Sequence, residues 1–260
     1  MIAKSIHGYF QFGTCVRYLQ DAQAGYKLGN GKDDGNILHN LTAFFRYLNT
    51  LNLQVTIRAT SELSEFQKVQ SRRQQTDRLS TDDASRLRDL IREIRKTLEA
   101  EIKGFEAYIV TPKRLDTRKL LQDVSSLLAP GVFGKIPELA RFDLAEAGMC
   151  IAFERPTAAA FHLLRGTECV LRDFYCVLVK QNRSEQLWGP IVADLKKRKK
   201  AKQHSDLLDH LDHIRKAFRN PTQHPDKVYD IQEVQDLLGL CVDAINRMGK
   251  ELPQPDQVPW

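Results

Sequence analysis

Phe161-His162-Leu163-Leu164-Arg165-Gly166-Thr167-Glu168-Cys169-Val170-Leu171-Arg172-Asp173-Phe174-Tyr175 carries its large apolar residues at helical spacing. Phe161, Leu164, Leu171, Phe174 and, just beyond, Leu178 fall on one stripe, the pattern of a helix that buries one face. Pro156 suits the first turn, where a missing N–H costs nothing, so the helix is expected to run from there to about Lys180. Glu168 interrupts the stripe between Leu164 and Leu171. A partly buried carboxylate needs a partner. Arg165 and Arg172 lie within one helical turn and are the nearest candidates.

Similar patterns flank this helix. Asp143 and Glu146 form a capping-box pattern ahead of a helix to about Phe153. Ser205 opens another, with Leu207, Leu208, Leu211, Ile214 and Phe218 facing inward. Asp230 and Glu233 cap a last one, with Ile231, Val234, Leu237, Leu238, Cys241, Ala244, Ile245 and Met248 on its apolar face. Residues 141–253 are therefore expected to form an all-α bundle of four to five helices. The Pro-rich end, 254–260, reads as a mobile tail. The Pro/Gly break at 129–137 is the best boundary with an N-terminal helical region, 1–140.

That region reads less cleanly. Tyr9, Phe10, Phe12, Val16, Tyr18 and Leu19 have the makings of a helix that Gly8 and Gly13 interrupt. A turn-rich loop follows at 27–35, then a helix at 36–53. Ser80-Thr81-Asp82-Asp83 is a capping signal for a long helix to about Lys103. Residues 105–111 (FEAYIVT) read as a short strand or a loop, and 116–128 as a short helix.

The chain has 260 residues, 42% apolar and 28% charged, which is ordinary for a globular protein. Its five cysteines show no CxxC spacing and read as reduced thiols. The N-terminus lacks a signal-peptide core, and no stretch approaches the ~20 apolar residues of a membrane span. A cytoplasmic protein with no membrane contact is expected. The net charge of +6 permits an anionic partner without demanding one.

The chemistry-bearing stretch is Phe218-Arg219-Asn220-Pro221-Thr222-Gln223-His224-Pro225. Two prolines make it a stiff turn that can hold side chains toward solvent. Arg219 is permanently charged and offers a fork of donors to phosphate. His224 titrates near neutrality and can move protons. Asn220 binds phosphate or fixes the loop. RNA brings its own nucleophile, the 2′-hydroxyl. Cleavage then needs proton transfer and stabilisation of charge on phosphorus, which an Arg–His pair supplies without metal or cofactor.

With Arg219, Asn220 and His224 between the last two bundle helices, and with the helix at 161–175, the C-terminal ~110 residues resemble the HEPN superfamily. The resemblance implies a metal-independent endoribonuclease. It also implies a homodimer in which two motifs meet, and a toxin–antitoxin or antiphage setting with an antitoxin or regulatory partner. The alternative is an inactive HEPN-like module that binds nucleotide or protein. Under the ribonuclease expectation, Glu168, with Arg165 beside it, is a supporting residue, either paired on its own helix or orienting Arg219 or His224. One Arg–His pair per chain offers a single titratable group, which also favours a dimer, since cleavage needs both a base and an acid.

Lys196-Lys197-Arg198-Lys199-Lys200-Ala201-Lys202 either guides RNA by charge or is a solvated helix end. His204, His210 and His213 read as a surface patch and not a metal site. P-loop, GxGxxG, HExxH and GxSxG motifs do not occur.

Overall fold

The structure is a computed structural model that describes residues 6–29, 35–74, 76–106, 108–180 and 186–254, without the side chain of Lys200. The expected mobile tail thus lies outside the described residues except for Gln254, as does the centre of the turn-rich loop at 27–35. The fold is all-α, and no strand occurs among the described residues. No helix among them is long and apolar enough to cross a membrane.

The chain divides into two compact units, Met1–Tyr108 and Ile109–Trp260. The first holds α1 (Ile6–Gln20), α2 (Ile37–Leu51), α3 (Gln54–Arg58), α4 (Ser61–Ser71) and α5 (Thr81–Ile102). Gly8 and Gly13 do not break α1. Each glycine costs a helix about 1 kcal/mol relative to alanine, and burial of Phe12, Cys15 and Leu19 offsets it. The α5 start is as the sequence predicts, with the Ser80 hydroxyl accepting from the Asp83 N–H. Residues 105–111 are not a strand among the described positions, and Phe105, Tyr108 and Ile109 stand exposed. With no neighbouring strand to pair with, β-prone residues form no ladder.

The second unit holds α6 (Thr117–Gln122), a 3₁₀ turn (Val124–Leu127), α7 (Val132–Lys135), α8 (Glu138–Ala152), α9 (Pro156–Val179), α10 (Trp188–Lys197), a 3₁₀ segment (Lys199–His204) and α11 (Ser205–Ile214). It then continues through a π turn (Arg215–Arg219) into α12 (Asn220–Thr222) and ends with α13 (Ile231–Glu251). Leu120, Leu128, Val132 and Ile136 share one core with α8, α9 and α13. The break at 129–137 therefore lies within the packing of this unit: its Pro/Gly signal marks a tight turn, with Gly131 at φ +79°.

α9 is the central helix, packed against α8, α10 and α13. The cap expected for α13 is present, with Asp230 and Glu233 exchanging bonds as a capping box. The cap expected at Asp143 is not. α8 begins six residues earlier, after Pro137, and Asp143 lies mid-helix with no exposure. α10, unforeseen from the sequence, buries Trp188, Ile191, Val192 and Leu195. Inside the bundle, burial pushes the Cys241 thiol up to about 12, so it behaves as an apolar core residue.

Candidate functional site

The Arg219 stretch is helical through Thr222 and becomes a turn only at Gln223, His224 and Pro225. α11 runs into a π turn in which the Asn220 N–H reaches the Arg215 carbonyl, five residues back. Pro221 follows inside the helix. A proline there has no N–H to give, and its ring crowds the carbonyl four positions earlier. The wider π turn relieves that crowding and lets the helix continue to Thr222. Helix insertions of this kind often mark functional sites.

The loop beyond α12 is pinned back onto the π turn. The buried Thr222 hydroxyl donates to the Phe218 carbonyl at 2.7 Å and shares a 2.7 Å hydrogen bond with the Tyr229 hydroxyl. The Tyr229 hydroxyl, with one hydrogen, donates either to Thr222 or to the Phe218 carbonyl oxygen 3.1 Å away, and its ring stacks on that of Phe218 at 6.4 Å. Burial raises the Tyr229 phenol above its ordinary range, so it stays protonated and able to donate. These bonds close the loop between α12 and α13 and fix the face that Arg219 presents.

Arg219 faces α9. Its Nη2 and Nε donate to Glu168 Oε2 at 3.3 and 3.4 Å, and Arg172 donates to the other Glu168 oxygen at 3.0 Å. Glu168 thus holds one arginine of its own helix and one from across the bundle. The Arg219 bonds are longer than the ~2.9 Å of a good N–H···O contact, so its fork is only loosely engaged. Arg165, the other expected partner of Glu168, lies elsewhere. It grips Asp143 with Nε at 2.8 Å and Nη2 at 2.6 Å, because α8 brings a fully buried carboxylate to it.

A cleft of about 360 Å³ opens here, lined by His162, Arg165 and Glu168 of α9 and by Arg219, Thr222 and Gln223. Two guanidinium groups, those of Arg165 and Arg219, line it against the one carboxylate of Glu168, while Arg172 holds the other Glu168 oxygen and Asp143 is buried behind Arg165. The balance favours an anion.

His224 does not line this cleft, although its neighbour Gln223 does. It is exposed, and among the described residues its side chain makes no hydrogen bond or ion pair. Its backbone N–H donates to the Pro221 carbonyl at 2.9 Å. Asn220 is exposed too, and its backbone, not its side chain, ties the loop. The basic run lies off the cleft and is partly spent. Lys196 pairs with Asp209 at 2.8 Å and Arg198 with Asp194 at 2.8 Å. Lys197, Lys199 and Lys202 are exposed.

One residue of the cleft goes unnoticed in the sequence, and the partner that holds it, Asp143, reads there only as a cap. His162 is on the cleft wall, and its Nδ1 lies 2.8 Å from Asp143 Oδ1. His162 stands one turn before Arg165 on the same face of α9. Asp143 falls among apolar stripe positions of α8, a sign that it needs a buried partner.

No family model matches this chain, and neither a curated protein nor a solved structure matches it.

Proposed function

We propose that the second unit is a metal-independent endoribonuclease of the HEPN type. The observation that supports it best is Arg219, presented by a π turn on the wall of a cleft that Arg165 also lines, and held only loosely by Glu168. Arg219 binds the scissile phosphate and stabilises the charge that grows on it. His224 exchanges a proton with the reacting oxygens. The 2′-hydroxyl attacks, leaving a 2′,3′-cyclic phosphate and a 5′-hydroxyl, so DNA is refractory. The exposed Lys197, Lys199 and Lys202 attract the RNA backbone.

The antitoxin or regulatory partner and the defence setting rest on the family resemblance alone, and the homodimer on that resemblance and on the single titratable group of one motif. Light scattering of the purified protein tests the dimer.

One observation favours the alternative, an inactive module that binds nucleotide or protein: His224 stands outside the cleft wall. Incubation of the protein with total RNA, beside Arg219→Ala and His224→Ala, separates the two. The ribonuclease cleaves and both variants do not; the inactive module leaves RNA intact in every arm.

A further inference from the structure

The environment of His162 is built in a way a surface histidine does not need. Asp143 is fully buried in the middle of α8. α9 comes close to it because residue 166 is glycine. A Cβ there would lie 3.1 Å from the Asp143 Cβ and 3.5 Å from the Ala140 carbonyl oxygen. That approach lets α9 lay two donors on one carboxylate, the Arg165 fork and His162 Nδ1. A carboxylate gripped by an arginine only accepts, so Nδ1 carries the hydrogen and Nε2 is the basic nitrogen. Among the described residues Nε2 has no hydrogen-bond partner, and the ring, one quarter exposed, lines the cleft with Arg219. Phe142 meets the ring edge-on at 6.4 Å and braces it from α8. A buried acid thus fixes the tautomer and orientation of a histidine that opens into the anion cleft.

We infer that His162 is a catalytic residue whose Nε2 takes the proton of the attacking 2′-hydroxyl, and that Asp143 is its positioning residue. This rests on the ribonuclease proposal above. The 2′-oxygen bonds to phosphorus as its proton passes to His162 Nε2. The phosphorus–O5′ bond breaks, and O5′ takes a proton from His224. His162 ends protonated and His224 deprotonated, and solvent restores both. One chain then supplies a base and an acid, so the chemistry itself does not require two copies of the motif.

The test compares wild type with His162→Asn, Asp143→Asn and the His224→Ala control on a short RNA, across pH. Asparagine at 162 can still donate to Asp143 but cannot take up a proton, which separates catalysis from structure. His162→Asn is expected to melt like wild type and to lose on the order of 10²–10⁴-fold in rate. The acidic limb of the pH–rate profile, where protonated His162 is inactive, should vanish with it. Asp143→Asn, if folded by circular dichroism, should slow cleavage and displace that limb. Asp143 from α8 is bonded to the ring, and Arg165 and Glu168 from α9 and Arg219 from the π turn line the same cleft. Among the described charged groups Asp143 alone is bonded to the ring, so changes at 143 should move the limb most. If His224→Ala is dead while His162→Asn keeps the wild-type rate and profile, the inference fails and the ribonuclease proposal stands. If wild type cleaves no RNA, both fail.

Discussion

Glu168 Oε2 lies 3.3 Å from Arg219 Nη2, joining residues 51 positions apart in the sequence. The same carboxylate holds Arg172 at 3.0 Å, so Arg219 is the second claimant on a group already engaged. Such a contact can orient the Arg219 fork and still release it to a phosphate.

Glu168→Gln tests that relationship. It removes a negative charge from an anion cleft and loosens the support of Arg219. RNA should bind more tightly, seen as a lower KM, while kcat falls roughly 10-fold or more as the guanidinium loses its orientation. Steady-state cleavage of a short RNA measures both. An unchanged kcat would mean that Glu168 does not position Arg219.

Thr222→Val tests the lock behind the motif. Valine keeps the shape of the buried side chain but loses its bonds to Phe218 and Tyr229. Stability should drop by about 1–2 kcal/mol in a denaturant titration. Cleavage should weaken as the loop after α12 loosens. A variant as stable as wild type would show that Tyr229, through its own bond to Phe218, closes the loop unaided.

Asp212 links stability to pH. The Lys216 ammonium above all, helped by the Arg215 guanidinium, holds its carboxyl down from 3.8 to about 2, against the opposing effect of burial. A depressed carboxylate stabilises the fold fully above its unfolded pKa, and the benefit is lost as pH falls from about 4 toward about 2. Asp212→Asn should lower the melting temperature at neutral pH and little at pH 2. Because Arg215 opens the π turn, the variant should also reduce cleavage. Equal differences at both pH values would rule out this linkage.

The long elements were legible because their signals repeat. α9 and α13 show their stripes over several turns, and Asp230 and Glu233 cap α13 as their spacing predicts. α10 is short, and the basic run that follows it disguises a stripe of Trp188, Ile191, Val192 and Leu195. Asp143 and Glu146 have the spacing of a capping box, and spacing alone does not tell a cap from a buried mid-helix acid. Pro221 ordinarily signals a helix end; the π turn that admits it leaves no local pattern. Arg219 and Glu168 were both visible as candidates, yet their contact is tertiary. So is the pair of His162 and Asp143, 19 residues apart on two helices, which no periodicity can announce.

The most direct test of the central claim is the fate of a defined RNA oligonucleotide mixed with the purified protein, with Arg219→Ala and His224→Ala in parallel. The proposed chemistry predicts cleavage that leaves 2′,3′-cyclic phosphate and 5′-hydroxyl ends, with the matching DNA untouched. Both variants should be inactive and folded: His224 is exposed, where stability effects are usually within about 0.5 kcal/mol, and Glu168 keeps Arg172 as its partner when Arg219 is removed. Intact RNA with wild type, or cleavage that persists undiminished in Arg219→Ala, would contradict it.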